Sequence, residues 1–89
     1  MEGKIRRNEV VVWNIVDGEA VLLNPETGNY YGLNKTATEI WKSLGEHKTQ
    51  KELEAILASR FETPRDALAH LEALLADLLS RKLITCVQD

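Results

Sequence analysis

The chain has 89 residues, enough for one domain that buries about two-thirds of its unfolded surface, so we do not expect a deep catalytic cleft. Its 11 basic and 14 acidic residues give a net charge of −3, which disfavours nucleic acid as the main partner. Cys86 is the single cysteine, which excludes an intrachain disulfide and fits a reducing cytoplasm. No apolar run approaches the roughly 20 residues of a membrane span, and the start lacks signal-peptide features, so we expect a soluble cytoplasmic protein.

A basic cluster, Lys4, Arg6 and Arg7, comes first along the sequence. Such a cluster can attract an acidic partner. The simpler interpretation, which we adopt here, is a solvated and frayed terminus.

Two strands of an antiparallel hairpin are predicted next. The run EVVVWNIV, residues 9–16, is rich in β-branched and aromatic residues. Asp17-Gly18 is a strong signal for a two-residue turn, so EAVLLN, residues 19–24, should pair antiparallel with the first strand.

A short third strand, NYYGL at residues 29–33, follows the turn PETG at 25–28 and completes a meander. Gly32 lies inside this strand, which suits the edge of a sheet better than its middle. Tyr30 and Tyr31 must point to opposite faces, and the sequence leaves open which of them faces the core.

Three helices are predicted after the strands. The first is capped by Asn34, or by a box of Thr36 with Glu39, and Gly45 can end it. The second begins with a capping box of Thr49 and Glu52. The apolar positions of these two helices are Ala37, Ile40, Trp41, Leu44, Leu53, Ile56, Leu57 and Phe61.

The third helix should begin at Thr63-Pro64 with Asp66 in its first turn and run to about Lys82, before a short tail strand LITCV at 83–87. Its apolar side is wider than one core-facing stripe requires, so part of it needs a second neighbour, either within the fold or in a dimer. That side consists of Ala67, Leu68, Leu71, Leu74, Leu75, Leu78 and Leu79.

Residues that could carry catalysis are few. His47 and His70 have no partner at the i,i+4 spacing of a helical metal site, and Cys86 has no base beside it. The glycine spacing of a phosphate-binding loop is absent. We therefore expect no enzyme activity, no metal and no cofactor.

Among binding modules, a winged-helix DNA-binding protein is an alternative that the order of strands and helices suggests. Its recognition helix needs basic and polar residues facing base edges and phosphates. The third helix has Arg65, Arg81 and Lys82 at its extremities and leucines between them, which is unfavourable for a major groove.

The run AVLLNPETGNYYGLNKTATEIWKSL, followed by a second capped helix and a leucine-rich third, resembles the PqqD family, named for a chaperone of pyrroloquinoline quinone biosynthesis. The resemblance covers about residues 9–87 and is most specific from Leu22 to Trp41. It implies an α+β fold in which an N-terminal three-stranded antiparallel meander packs on a three-helix, winged-helix-like bundle. We expect one such domain over residues 1–89.

The resemblance also implies a function. The same fold serves as the recognition element for precursor peptides that are made ribosomally and then modified. In that family the leader segment of the precursor adds an antiparallel strand to the third strand and places side chains in a groove against the third helix. Carried onto this sequence, the leader-binding residues are Gly28, Asn29, Tyr30, Tyr31, Gly32, Leu33, Ala67, Leu71, Leu74, Leu75 and Leu78.

Within the family, a free-standing protein with NPETGNYYGLN is most similar to the recognition proteins of lasso-peptide pathways. Its expected partners are then a precursor peptide and a separate leader peptidase or other maturation enzyme, and we expect a monomer or weak dimer. The alternative is a chaperone for a radical-SAM maturase, including that of the quinone pathway.

Overall fold

The computed structural model describes residues 2–60 and 65–87, except the side chains of residues 60 and 65–68. The predicted helix start at Thr63-Pro64 and the predicted burial of Phe61 lie outside the described residues. The strands and helices are β1 Lys4–Arg7, β2 Val12–Val16, β3 Glu19–Asn24, β4 Asn29–Gly32, α1 Lys35–Ser43, α2 Gln50–Arg60, α3 Arg65–Ser80 and β5 Ile84–Val87.

The predicted meander is confirmed as a three-stranded antiparallel sheet in the order β2-β3-β4. Asp17 and Gly18 both have positive φ, 52° and 81°, as the tight turn between β2 and β3 requires. This turn makes Val16 and Glu19 direct partners. The sheet and three helices together confirm the α+β fold class.

One face of β3 packs on the helices. Ala20, Leu22 and Asn24 are buried there, together with Ile40 and Trp41 of α1. Two polar groups of β3 form hydrogen bonds to residues distant in the sequence. The hydroxyl of Thr38 accepts the N–H of Ala20 at 2.8 Å, and the Asn24 amide donates to the carbonyl of Lys82 at 2.9 Å.

The helix caps follow local sequence rules. The side-chain oxygen of Asn34 accepts the N–H of Ala37 at 2.8 Å, so Asn34 is the cap of α1. Thr49 and Glu52 accept each other's backbone N–H groups, which confirms the capping box of α2. The third helix ends at Ser80, two residues before the predicted Lys82, because Lys82 adopts a positive φ of 59° in the following turn. None of the helices in the described residues is long and apolar enough to cross a membrane.

The prediction of a frayed N-terminus is wrong. Residues 4–7 form β1, which pairs antiparallel with β5, the predicted tail strand. Ile5 is fully buried, and its backbone N–H and C=O bond to Lys48 at 2.7 and 2.9 Å. The cluster KIRR has only one apolar residue, so its sequence does not carry the hydrophobic alternation by which strands are recognised.

We predict that Ile5→Ala lowers the free energy of unfolding by about 2–5 kcal/mol, because it leaves a cavity in the core beneath β1. The matched control is Lys4→Ala, on the exposed side of the same strand, which should change stability by no more than about 0.5 kcal/mol. Urea denaturation followed by circular dichroism measures both. Equal, small losses would show that β1 is not part of the cooperative fold.

Candidate peptide-binding site

The fourth strand, β4, forms one edge of the meander. Its residues pair with β3 on one side only, and no other strand in the described residues borders it. The N–H of Leu33 bonds to the carbonyl of Ala20 at 2.8 Å. Because alternate residues of an antiparallel strand bond to the same neighbour, Tyr31 also points its backbone groups at β3. Tyr30 and Gly32 therefore direct their N–H and C=O groups away from the sheet.

The two tyrosines have different surroundings. Tyr30 is 67% exposed and lies on the outer face of the sheet. Tyr31 is half-buried, packs against the core, and donates its hydroxyl to Oδ2 of Asp77 on α3 at 2.7 Å. The structure thus answers the question left open by the sequence: Tyr31 faces inward.

A polar cluster joins β4 to the end of α3. Nε of Arg81 donates to Oδ1 of Asp77 at 3.0 Å, and the guanidinium lies 5.0 Å from the centre of the Tyr31 ring. The Asn29 amide donates to the Arg81 carbonyl at 2.9 Å. Hydrogen bonds from Tyr31, and then from Arg81, lower the pKa of Asp77. The hydrogen bond to Asp77, and then burial, raise the pKa of Tyr31, so a neutral phenol faces a carboxylate.

The predicted groove residues of α3 have different positions. Leu71, Leu75 and Leu78 are 3%, 0% and 1% exposed, so they belong to the core and not to a surface that a peptide could contact. Among the described leucines of the predicted groove set, Leu74 alone is half-buried. It lies one helical turn from Asp77, so its side chain is partly accessible near the residue that Tyr31 contacts. The side chain of Ala67 lies outside the described residues.

The predicted strand residues are brought together at the β4 edge. Gly28 has a φ of 75° in the turn before the strand, and Asn29 is half-buried. Gly32 is exposed, and a Cβ there would meet no atom within 4 Å. Leu33 is 4% exposed and belongs to the core.

Sequence reasoning missed Asp77 and Arg81 as part of this site. Their i,i+4 spacing is a signal for an ion pair, but it does not indicate that Tyr31 of a distant strand completes the cluster. Within the described residues, no group of three His, Cys, Asp or Glu side chains could hold a metal ion.

The outer face of the meander carries exposed apolar side chains. Val12 and Val16 of β2 are exposed there, and Leu23 lies between Val12 and Tyr30 because directly opposed residues share a face. This outer apolar face, defined by Val12, Val16, Leu23 and Tyr30, continues to the β4 edge.

The chain is similar to proteins of known family and structure. The sequence matches the family described as coenzyme PQQ synthesis protein D, PqqD, over residues 19–84. It is similar to the solved structure of TbiB1 in complex with the TbiA(beta) leader peptide, at 28% identity and a TM-score of 0.80, covering 94% of this chain and 99% of that one. It is also similar to lasso peptide synthetase B1 complexed with the leader peptide, at 27% identity and a TM-score of 0.75, covering 91% and 96%. No curated protein matches the sequence.

We predict that Tyr31→Phe raises the pKa of Asp77, because it removes the largest cause of its lowering. Arg81→Gln should raise the same pKa by less. The hydrogen bonds to the carboxylate stabilise the fold above the ordinary pKa of an aspartate, and this contribution is lost as pH falls through the lowered value. An NMR titration of the Asp77 carboxyl carbon measures both variants. An unchanged midpoint in Tyr31→Phe would contradict the contact.

Proposed function

This chain belongs to the PqqD family, and we propose that it is a non-catalytic adaptor that binds the leader segment of a ribosomally synthesised precursor peptide. It presents that segment to a leader peptidase or another modifying enzyme, in lasso-peptide biosynthesis. In this proposal residues 1–89 act as one peptide-recognition domain, in the cytoplasm and as a monomer or weak dimer. The observation that carries the proposal is the unpaired backbone of β4 beside the partly open side of α3.

The lasso-peptide assignment is supported by the two similar solved structures. Each covers at least 91% of this chain, and each contains a leader peptide bound to a protein of this fold. The alternative, a chaperone for a radical-SAM maturase including that of the quinone pathway, is supported by the family match alone.

The winged-helix DNA-binding alternative is disfavoured, because α3 has no Lys or Arg between residues 66 and 80.

The pairing of β4 with β3 determines which backbone groups of β4 are left for an added leader strand. An added antiparallel strand bonds to the outward N–H and C=O groups of Tyr30 and Gly32. Leader residues opposite these two lie on the outer face, because opposed side chains share a face. The leader residue opposite Tyr31 lies on the core side and points into the groove beside Leu74. The leader-binding set proposed from the sequence therefore has two roles, with backbone contacts at 28–33 and the α3 leucines shaping the groove.

Magnitudes show why the groove is needed. About four added hydrogen bonds, at roughly 0.5–1.5 kcal/mol each, barely offset an association cost of about 4 kcal/mol or more. Two or three apolar anchors at about 1.5–3 kcal/mol each bring the affinity to the micromolar range or better. The groove thus determines which leader is accepted.

The outer apolar face supports presentation to an enzyme. A leader strand on the β4 edge leaves Val12 and Val16 uncovered, because both lie on the strand at the other side of the sheet. Leader side chains opposite Tyr30 and Gly32 would extend the same face. An enzyme that docks there would contact the adaptor and the bound leader together.

The experiment that tests the proposal is an NMR titration of the isotopically labelled protein with a synthetic leader of the precursor peptide encoded beside it. We expect saturable shifts of the amides at 28–33 and along α3 near Leu74. A leader of the same composition in scrambled order is the control. Absence of saturable shifts with the native leader would overturn the proposal.

We predict that Leu74→Asp weakens leader binding by about ten- to a hundredfold, because it places a charge where an apolar anchor packs. Glu72→Ala is the matched control on the exposed side of α3 and should leave the dissociation constant unchanged. Leu75→Asp is unsuitable, since Leu75 is fully buried and its replacement by a charge should unfold the domain. Isothermal titration calorimetry measures affinity, and equal losses in Leu74→Asp and Glu72→Ala would count against the groove.

We predict that Tyr30→Pro weakens leader binding at least about tenfold while the domain stays folded, because the lost N–H faces outward. Tyr31→Pro should instead reduce stability, since its N–H belongs to the β3–β4 ladder. The control is Ile15→Pro on β2, at the other side of the sheet, which should leave leader affinity unchanged. The N–H that it removes bonds locally, to the side chain of Asn14 at 2.9 Å. Unchanged affinity in folded Tyr30→Pro would remove strand addition from the proposed mechanism.

A further inference from the structure

A second concave site lies beside β2, at the opposite side of the meander from β4. It is a cavity of about 180 Å³ formed by the end of β1 and the residues after it, the end of α1 and Trp13 of β2. Arg6 and Arg7, from the basic cluster at the N-terminus, line it. None of the residues that line this cavity belongs to the proposed leader-binding set.

The side chain of Arg7 is held in a fixed position there. Its guanidinium carbon lies 5.0 Å from the centre of the Trp13 ring and 5.7 Å from that of Trp41, and these rings meet edge to face. Gly45 allows the close approach, because a Cβ at that position would lie 2.7 Å from Nη2 of Arg7. The aromatic rings fix the guanidinium, whose N–H groups stay available as hydrogen-bond donors.

The Arg7 guanidinium in this cavity has no acceptor among the described residues. Within the described residues, the Arg7 side chain makes no ion pair and no hydrogen bond, whereas Arg6 pairs with Glu9 at 2.7 Å. Trp41 borders the cavity, but its Nε1–H is fully buried and finds no acceptor among the described residues. The donor that a ligand in the cavity can reach is therefore the Arg7 guanidinium. Burial, and then the neighbouring Arg6, lower the pKa of Arg7, so an anion here would relieve an unfavourable environment.

We propose that this cavity binds a carboxylate group, presented by an acidic side chain or by the C-terminus of a peptide or protein partner. A planar guanidinium with free N–H groups pairs bidentately with a planar carboxylate. The volume suits a group of side-chain size, since cofactor pockets are about 300–1,000 Å³. Two guanidiniums opposed by the carboxylate of Glu9 leave one positive charge, which matches a monoanion better than a phosphate dianion.

The two tryptophans allow a direct test, because the sequence has no others and both line the cavity. Sodium acetate is titrated into labelled protein at pH 7, and sodium chloride is titrated at the same ionic strength. We expect the Nε–H signal of Arg7 and the indole N–H signals of the two neighbouring tryptophans to shift and saturate with acetate and not with chloride. Equal responses to the two salts would overturn the proposal.

Two variants sharpen the result. Arg7→Gln should weaken acetate binding at least about tenfold, because it removes the charged donor. Glu9→Gln, at an exposed position, should strengthen binding because it removes the competing carboxylate. If Arg7→Gln fails to fold, as seen in the amide signals of β1 and β5, Glu9→Gln decides the matter. Unchanged acetate affinity in folded Arg7→Gln, or in Glu9→Gln, would overturn the proposal.

The source of the carboxylate is resolved by two further probes. N-acetylalanine carries a free α-carboxylate like that of a peptide C-terminus, whereas N-acetylglutamic acid α-amide carries only the γ-carboxylate of an acidic residue. Tighter saturable binding of either one, relative to acetate, supports the proposal and identifies the source. Inorganic phosphate is the counter-probe, and tighter binding of phosphate than of all three carboxylates would overturn the assignment to a carboxylate.

Discussion

The turn at Asp17-Gly18 sets the hydrogen-bonding phase on which the rest of the sheet depends. Because a two-residue turn makes Val16 and Glu19 partners, the odd-numbered residues of β3 bond to β2 and the even-numbered residues bond to β4. The register between β3 and β4 places Leu22 opposite Tyr31, so the outward backbone groups of β4 belong to Tyr30 and Gly32. A shift of one residue would exchange the bonded and unbonded sets and move every side chain to the other face. The candidate binding edge is therefore fixed by two turns together, Asp17-Gly18 between β2 and β3 and residues 25–28 between β3 and β4.

The turns and helix caps of this fold depend on residues close together in the sequence, and such features could be predicted from the sequence. The Asp17-Gly18 turn, the Asn34 cap and the Thr49 capping box each depend on residues no more than four apart, and the structure confirms each of them. The hydrogen bond from Tyr31 to Asp77 spans 46 residues, and neither residue carries a local signal of the other. The same holds for β1, whose partner β5 lies at the other end of the sequence.

The leucines of α3 show why a predicted face is not yet a predicted surface. Helical periodicity indicates which side chains point the same way, but not how deeply the neighbouring elements cover them. Leu71, Leu75 and Leu78 are absorbed into the core, while Leu74, at the margin of the same face, stays partly open. Leu79, on the same predicted apolar side, is 39% exposed. Among the described leucines of that side, the fold therefore covers three and leaves Leu74 and Leu79 at least partly accessible.

The two candidate sites use different chemistry at opposite sides of one sheet. The β4 edge offers main-chain groups and a groove, which accept any strand whose side chains fit. The cavity beside β2 offers the fixed guanidinium of Arg7, which selects for charge. Because β3 separates them, a leader on β4 does not cover the cavity, and a carboxylate beside Arg7 does not block the edge. An adaptor must hold two partners at once, and the separation of the two candidate sites would let both be occupied together.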